Sequence, residues 1–339
     1  MTLKGKKPNL VVIGGGTGTY TTLLGLKKYP VDISVIVTMT DSGGSNRVIR
    51  DEFGLLPTSD IRQAMVALAS EEVDDLFRNL FTYRYHQGTG LNGMTFGNLF
   101  MLALTDILGS QSEALTQTCR LLGVEGNVIP VTYDNSQLIA RYDNGRQLLG
   151  EHQIDEPTEE FAEHKIIELE TIPEAVANPK ALEAIKNADL IVFSPGDLYT
   201  SLLSNIVVKG IKDAIRKSKA KKVFIVNLMT KYGQTTHFKA SDFCYELSKY
   251  LGGMNPDYIL INNTLKLNKK IAARYAEERA EPVIDDLSEH PENLAGTTVI
   301  RGDFTNKQIF EKSKGDKLIR SLVRHDSKKL AKAIISILK

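Results

Sequence analysis

Asn9-Leu10-Val11-Val12-Ile13-Gly14-Gly15-Gly16-Thr17-Gly18 decides how the fold is read. Residues 10–13 form a short apolar run, of the kind buried on both faces of a parallel sheet. The run enters a turn holding four glycines. Residues 20–28 follow with Leu23, Leu24 and Leu26 at helical spacing, and Pro30 closes them. A second β-branched run occupies 33–38. Strand, glycine turn, helix and strand make one βαβ unit. Glycines clear side chains from places where backbone N–H groups approach an anion, and the helix start adds the positive end of its dipole. A nucleotide phosphate needs that arrangement, although a tight turn without a ligand has the same sequence. The dinucleotide fingerprint fails at Thr19, and no Gly-Lys-Ser/Thr ends the loop, so neither NAD nor ATP is specified.

In a parallel sheet the loop after the second strand lies beside the first, at the carboxyl edge. That loop is Thr40-Asp41-Ser42-Gly43-Gly44-Ser45-Asn46-Arg47. Asp41 stands where an acidic residue often meets a ribose hydroxyl, Gly43 and Gly44 free backbone N–H groups, and Arg47 and Arg50 add positive charge. Alternatively Asp41 caps a turn. Pro57 and small polar residues then open a helix, in which Asp60 and Gln63 have capping-box spacing. Arg62 in that first turn opposes the helix dipole and suits an anionic neighbour. Asn98 opens an almost wholly apolar helix, expected to be central and buried. It either caps that helix or presents an amide to a ligand.

Residues 124–171 change character. Short strands and the hairpin signal Asn144-Gly145 read as an antiparallel insertion, not a separate domain. Residues 175–187 read as a helix, after which the α/β alternation resumes. Strand 188–193 ends in Ser194-Pro195-Gly196-Asp197-Leu198-Tyr199-Thr200-Ser201, and a helix is expected to run on to about Lys217. The next strand ends at Asn227 and Thr230, and another at Asn262-Asn263-Thr264. Tyr275 lies near the end of a helix over 269–279. Arg324 precedes a last helix, where it grips phosphate or simply faces solvent. Hydroxyl and amide groups thus end strand after strand on one edge, which suits a phosphorylated, polyhydroxylated ligand.

Composition narrows the classes. The 339 residues allow one large α/β domain, read here as 1–339, or two smaller ones. Lys+Arg is 42 against Asp+Glu 41, too balanced for a general nucleic-acid binder. The two cysteines, Cys119 and Cys244, are far apart, and no histidine pair has zinc spacing. No apolar run reaches the roughly 18 residues of a membrane span. These features read as a cytoplasmic protein, with a homo-oligomer left open.

Together these loops resemble the gluconeogenesis factor (YvcK-like) family, part of the CofD-like superfamily related to phospholactate transferase. The resemblance rests on residues 12–18, 40–45, Leu55-Leu56-Pro57, Asp60-Ile61-Arg62, Gly97-Asn98-Leu99 and Ile129-Pro130-Val131-Thr132. It continues through residues 188–192, Pro195-Gly196, 198–201, 227–230, Arg274-Tyr275-Ala276 and Arg324-His325-Asp326. It implies an α/β, Rossmann-like three-layer sandwich with a mostly parallel sheet. It also implies a nucleotide or nucleotide sugar such as UDP-N-acetylglucosamine across the sheet edge, and a role in carbon-source-dependent growth and cell shape. The transferase relatives bind a guanine nucleotide and use Mg²⁺. This chain departs from the family pattern at Met94, where a His is usual, at Arg47-Val48-Ile49-Arg50, at Thr58-Ser59 and at Asp197, where Ser is common. Those changes weigh against phosphoryl transfer more than against binding.

The leading expectation is a nucleotide-sugar-binding regulator without turnover and without a required cofactor. Gly14, Gly15, Gly16, Thr17 and Gly18 would cradle phosphate, with Asp41, Ser42, Gly43, Gly44 and Ser45 beside them. Asp60, Arg62, Asn98, Gly196, Asp197 and Leu198 would complete the rim. Thr200, Ser201 and Asn227 would hold the far end, Tyr275 would stack, and Arg324 would neutralise charge. The alternative is a phospholactate-type transferase in which Asp41 and Asp60, or Asp197, hold Mg²⁺ with the bound nucleotide. A nicotinamide oxidoreductase fits worst, because the fingerprint is incomplete and no His–Asp catalytic pair stands out.

Overall fold

In a computed structural model the described residues are 6–72, 75–263, 265–306 and 322–338, without the side chains of 45, 292 and 293. Among these residues ten strands are formed. They are β1 (Asn9–Gly14), β2 (Asp32–Val37), β3 (Asn127–Pro130), β4 (Gln137–Tyr142), β5 (Gln147–Leu149), β6 (Ile166–Ile172), β7 (Leu190–Phe193), β8 (Lys221–Ile225), β9 (Tyr258–Asn262) and β10 (Thr298–Gly302). Seven make one sheet in the order β10-β9-β8-β7-β1-β2-β3, and every pairing in it is parallel. Its central strands are buried along nearly their whole length, β7 at all four residues. Consecutive side chains of a strand face opposite ways, so both faces of the sheet are covered.

The topology puts helices on each face. From β1 the chain passes through helix α1 (Gly16–Leu26) to β2, stepping one way along the sheet. From β7 it passes through helical segments to β8, stepping the other way. Right-handed crossovers therefore place these connections on opposite faces. That is the expected three-layer α/β arrangement. Helix α1 starts at Gly16, directly on the glycine turn, and packs against the helix Ser327–Ile337 and the helix at Ser59–Leu68.

The expected insertion has different bounds. β3 pairs with β2 in parallel register, Val35 opposite Val128, and extends the main sheet instead of opening an insertion. Its apolar run Val128-Ile129 is buried like the other sheet strands. The antiparallel unit is the three-stranded sheet β5-β4-β6, spanning residues 137–172. Buried residues of both sheets, among them Val12, Phe193, Leu138 and Leu169, belong to one hydrophobic cluster.

Three helices also differ from expectation. The apolar helix Phe96–Leu108 is not central: it buries Gly97, Asn98, Met101 and Thr105 and leaves Ile107 76% exposed. The expected helix over 175–187 is Pro179–Lys186, because Asn178 accepts the Lys180 N–H at its start and Pro179 suits a first helical position. The helix expected to reach Lys217 is interrupted. A π-helical turn Leu198–Leu203 leads into Ser204–Ile206, and a new helix, Ile211–Lys217, starts after Gly210 at φ +100°.

Gly25 in α1 tests the packing. A Cβ there would lie 2.0 Å from the Ser327 carbonyl oxygen. Ala is favoured over Gly inside a helix by about 1 kcal/mol. Overpacking against backbone outweighs that, so Gly25→Ala should lose roughly 1–3 kcal/mol of stability, read from the midpoint of urea unfolding by circular dichroism.

Candidate functional site at the carboxyl edge of the sheet

β1 lies between β2 and β7, and the connections after β1 and β7 leave in opposite directions. A crevice opens at the carboxyl ends of such a strand pair. Two turns line it, the glycine loop after β1 and Ser194 to Asp197 after β7. Gly16 has φ +64°, a left-handed conformation costly for other residues. A Cβ on Gly18 would lie 1.8 Å from the Pro195 carbonyl oxygen, so only glycine permits this approach. The two turns are also laced together. Ser194 Oγ donates to the Ile13 carbonyl at 3.0 Å and shares a 2.6 Å hydrogen bond with Thr19 Oγ1. Asn227 Nδ2 donates to the Gly196 carbonyl at 2.7 Å.

A cavity of about 540 Å³ opens against these turns. Of the expected residues it is lined by Gly16, Thr17, Gly18, Gly196, Asp197, Ser201, Asn227, Tyr275 and Arg324. Leu228, Met229 and Val323 give it an apolar wall. Leu198, expected on the rim, and Thr200, expected at the far end, are each 2% exposed. Leu198 packs in the core, and Thr200 donates its hydroxyl to Asp155 Oδ1 at 2.9 Å. Tyr275 is 4% exposed, and its hydroxyl accepts the N–H groups of both Leu322 and Val323 at 3.1 Å. It lines the cavity and also fixes the segment that carries Arg324.

The second loop forms an adjoining polar network outside that cavity. Helix α2 (Gly44–Phe53) begins inside the stretch expected to be loop. Asp41 Oδ1 accepts the Gly43 N–H at 2.9 Å, and Oδ2 accepts from Asn46 Nδ2 at 2.5 Å. Asn98 Nδ2 donates to Asn46 Oδ1 at 3.2 Å, and Arg62 Nε to Asn98 Oδ1 at 3.2 Å. Asn98 and Arg62 are thus buried supports of the loop, 1% and 7% exposed. Ser42 Oγ accepts the His152 N–H at 3.0 Å, and the Ser42 N–H reaches Glu151 Oε2 at 3.3 Å. The Ser45 side chain and Thr264 lie outside the described residues.

Asp60 joins the two networks. It does not cap helix α3 (Ser59–Leu68), whose cap residue is Thr58. It accepts the Gly16 N–H at 3.0 Å, directly beneath the glycine loop. Burial, reinforced by the charge of Asp41, raises its carboxyl to about 7. Mg²⁺ is commonly held by one or two carboxylates together with phosphate oxygens. Asp41 and Asp60 would be the residues to fill that limited role, because a cation would relieve the repulsion between them that adds to the effect of burial on Asp60. Among the described residues, no three histidine, cysteine or carboxylate side chains group as a metal site.

Two further cavity residues, Lys231 and Asp155, are missed by the sequence reading. Lys231 Nζ donates to Asp155 Oδ1 at 2.5 Å and Asp197 Oδ2 at 3.0 Å. Burial works against the Lys231 charge, but Asp197 and Asp155 more than offset it and its pKa is raised. Burial likewise opposes the charge of Asp155, yet Lys231, Thr200 and Gln234 hold it below the usual carboxylate range. The carboxylate at position 197 therefore has a cation beside it without any metal. Lys231 follows the Asn227-Leu228-Met229-Thr230 stretch by one residue, which was its only sequence signal. Asp155 comes from the antiparallel unit and had none.

Comparison with known proteins places the chain in a family. Residues 10–305 match the family model described as 2-phospho-L-lactate transferase CofD. A Thermotoga maritima protein described as "Putative gluconeogenesis factor" is 40% identical over 326 residues, covering 96% of this chain and 98% of that one. The Bacillus subtilis "Gluconeogenesis factor" is 35% identical over 336 residues, 99% of each chain. The X-ray crystal structure of protein BH3568 from Bacillus halodurans superposes with a TM-score of 0.87 at 36% identity, covering 97% of this chain and 100% of that one. With an end-to-end match to named relatives and the same α/β architecture, the chain belongs to the gluconeogenesis factor family of CofD-domain proteins.

Proposed function

We propose that this chain binds a nucleotide sugar of the UDP-N-acetylglucosamine kind in the carboxyl-edge cavity. On this reading it acts as a cytoplasmic regulator of gluconeogenic growth and cell shape, without turning its ligand over. One observation carries the reading. Glycine-loop backbone at the start of an 11-residue helix, the Gly196-Asp197 turn, Asn227 and Arg324 all border one cavity. The N–H groups of the first helical turn have no partners within the helix and suit phosphate oxygens. Arg324 supplies charge, and the wall of Leu228, Met229 and Val323 suits a base or the apolar face of a sugar.

The transferase reading draws on the description of the matched family model and on the carboxylates Asp41 and Asp60 beside the loop. In it these two residues would hold a Mg²⁺ that neutralises diphosphate charge. Asp197 pairs with Lys231 at 3.0 Å, so a cation stands beside it without Mg²⁺, which favours the Mg²⁺-independent binding reading.

A calorimetric panel of UDP-N-acetylglucosamine, GDP, GTP and NAD, with and without Mg²⁺, separates the readings. UDP-N-acetylglucosamine should bind without Mg²⁺ and persist unchanged. Tighter GDP binding that requires Mg²⁺, with phospholactate transfer from a guanylylated donor, would favour the transferase. Arg324→Ala should weaken UDP-N-acetylglucosamine binding by about 10- to 100-fold, the worth of one charge-assisted contact.

Asp60 gives the glycine loop a pH signature. Its folded pKa of about 7 lies above the unfolded value of 3.8. The folded state therefore holds the proton more tightly, and this contribution to stability is lost as pH rises from about 4 to about 7. Asp60→Asn keeps an acceptor for the Gly16 N–H and removes the charge. Over that interval it should flatten the fall in unfolding free energy by roughly 2–4 kcal/mol, measured by urea unfolding at several pH values.

A further inference from the structure

We propose that Asp197 and Lys231 together recognise a vicinal diol of the bound nucleotide sugar. Asp197 Oδ1 accepts a hydrogen bond from one hydroxyl, and the remaining ammonium N–H of Lys231 donates to the oxygen of its neighbour. The proposal rests on the nucleotide-sugar reading of the same cavity. Both residues line that cavity. Asp197 is also a place where this chain departs from the family pattern, with a carboxylate where Ser is common.

The unused donor and acceptor follow from the hydrogen bonds already made. Lys231 Nζ donates to Asp155 Oδ1 at 2.5 Å and to Asp197 Oδ2 at 3.0 Å. An ammonium carries three N–H donors, so one is left over. Among the described residues no donor reaches Asp197 Oδ1. The charged groups beside this carboxylate are Lys231 and Asp155, and a second carboxylate has no hydrogen to give. Neither group is enclosed: the Asp197 side chain is 40% exposed and the Lys231 side chain 31%.

A free acceptor and a free donor thus stand side by side on one cavity wall. Ionised phosphate oxygens only accept, and the charge of Asp197 repels them. A hydroxyl both donates and accepts. Adjacent hydroxyls on a sugar ring therefore satisfy both groups, one giving its hydrogen to Oδ1 and the next receiving one from Nζ. The pair is also firmly placed. Asp155 Oδ1 is anchored by Thr200 at 2.9 Å and Gln234 at 3.0 Å, and the Lys231 backbone N–H donates to Thr235 Oγ1 at 2.9 Å. The Asp197 carbonyl accepts the Ser201 and Leu202 N–H groups at 2.9 and 3.1 Å.

Calorimetry on the full chain tests this with UDP-N-acetylglucosamine and two analogues. One lacks the sugar 4-hydroxyl and the other the ribose 2′-hydroxyl, so each breaks one of the ligand's two vicinal diols. The parent should bind one analogue about 10- to 100-fold more weakly than the full ligand, and which one it is assigns the diol to the sugar or to the ribose. Asp197→Ser should weaken the full ligand by a similar factor and bind that analogue as well as the full ligand, the coupling expected of groups in contact. The sign of the Asp197→Ser effect is decisive. A carboxylate serving only as counter-ion to Lys231 would, once removed, leave an anionic ligand bound as tightly or more tightly. That result would overturn the proposal, as would a parent that loses affinity for neither analogue. An absence of binding heat from the parent with UDP-N-acetylglucosamine would sink the nucleotide-sugar reading, and this proposal with it.

Discussion

The close approach of Gly18 to the Pro195 carbonyl is the contact on which the site depends. A parallel strand pair whose connections diverge leaves a crevice at its carboxyl end, but the crevice alone does not make a phosphate-sized cradle. Here the first turn of α1 touches the turn after β7 with no side chain between them. The helix start, whose N–H groups after Gly16 have no partner within the helix, is thereby set into the wall of the cavity. The hydroxyls of Ser194 and Thr19, and the amide of Asn227, hold that approach from three sides.

Charge is arranged around this cradle with little slack. Asp60 sits beneath the loop, ties down Gly16 and is held near its titration point by burial and by Asp41. On the other side Lys231 lies between Asp155 and Asp197. Asp155 belongs to the short helix Glu151–Asp155, next to the antiparallel sheet. Glu151 of the same helix reaches the Ser42 N–H. The antiparallel unit is thus tied to the site at two places by carboxylates. Removing one member of such a part-buried cluster leaves the others unmet, which costs more than the intact pair contributes.

Much of this frame was legible in the residues. Residues 10–18 announced strand, turn and helix, because a buried parallel strand and a glycine turn have local signatures. The carboxyl-edge loops were legible for the same reason, and topology brought most of them to one rim. Partners chosen by tertiary contact were not legible. Nothing near Thr200 in the chain shows that its hydroxyl belongs to Asp155, 45 residues away. Asn46 is the hub between Asp41 and Asn98, yet it reads as an ordinary loop amide. β3 was misplaced because a short edge strand of a parallel sheet looks like any other apolar run. The helix Phe96–Leu108 was taken as central because composition does not say which face stays open. Asp60 had a local explanation, capping, that the fold did not use.

The proposed ligand rests on the convergent cavity, in a chain that belongs to the gluconeogenesis factor family. The most direct measurement of the central claim is a crystal structure of the protein grown with UDP-N-acetylglucosamine. The account predicts diphosphate oxygens within hydrogen-bond distance of the Thr17 and Gly18 backbone, with the rest of the molecule running past Asn227 along the wall of Leu228 and Met229. Electron density for the ligand in the other large cleft, at the amino edge around Asn9, Asp32 and Asn127, would contradict it.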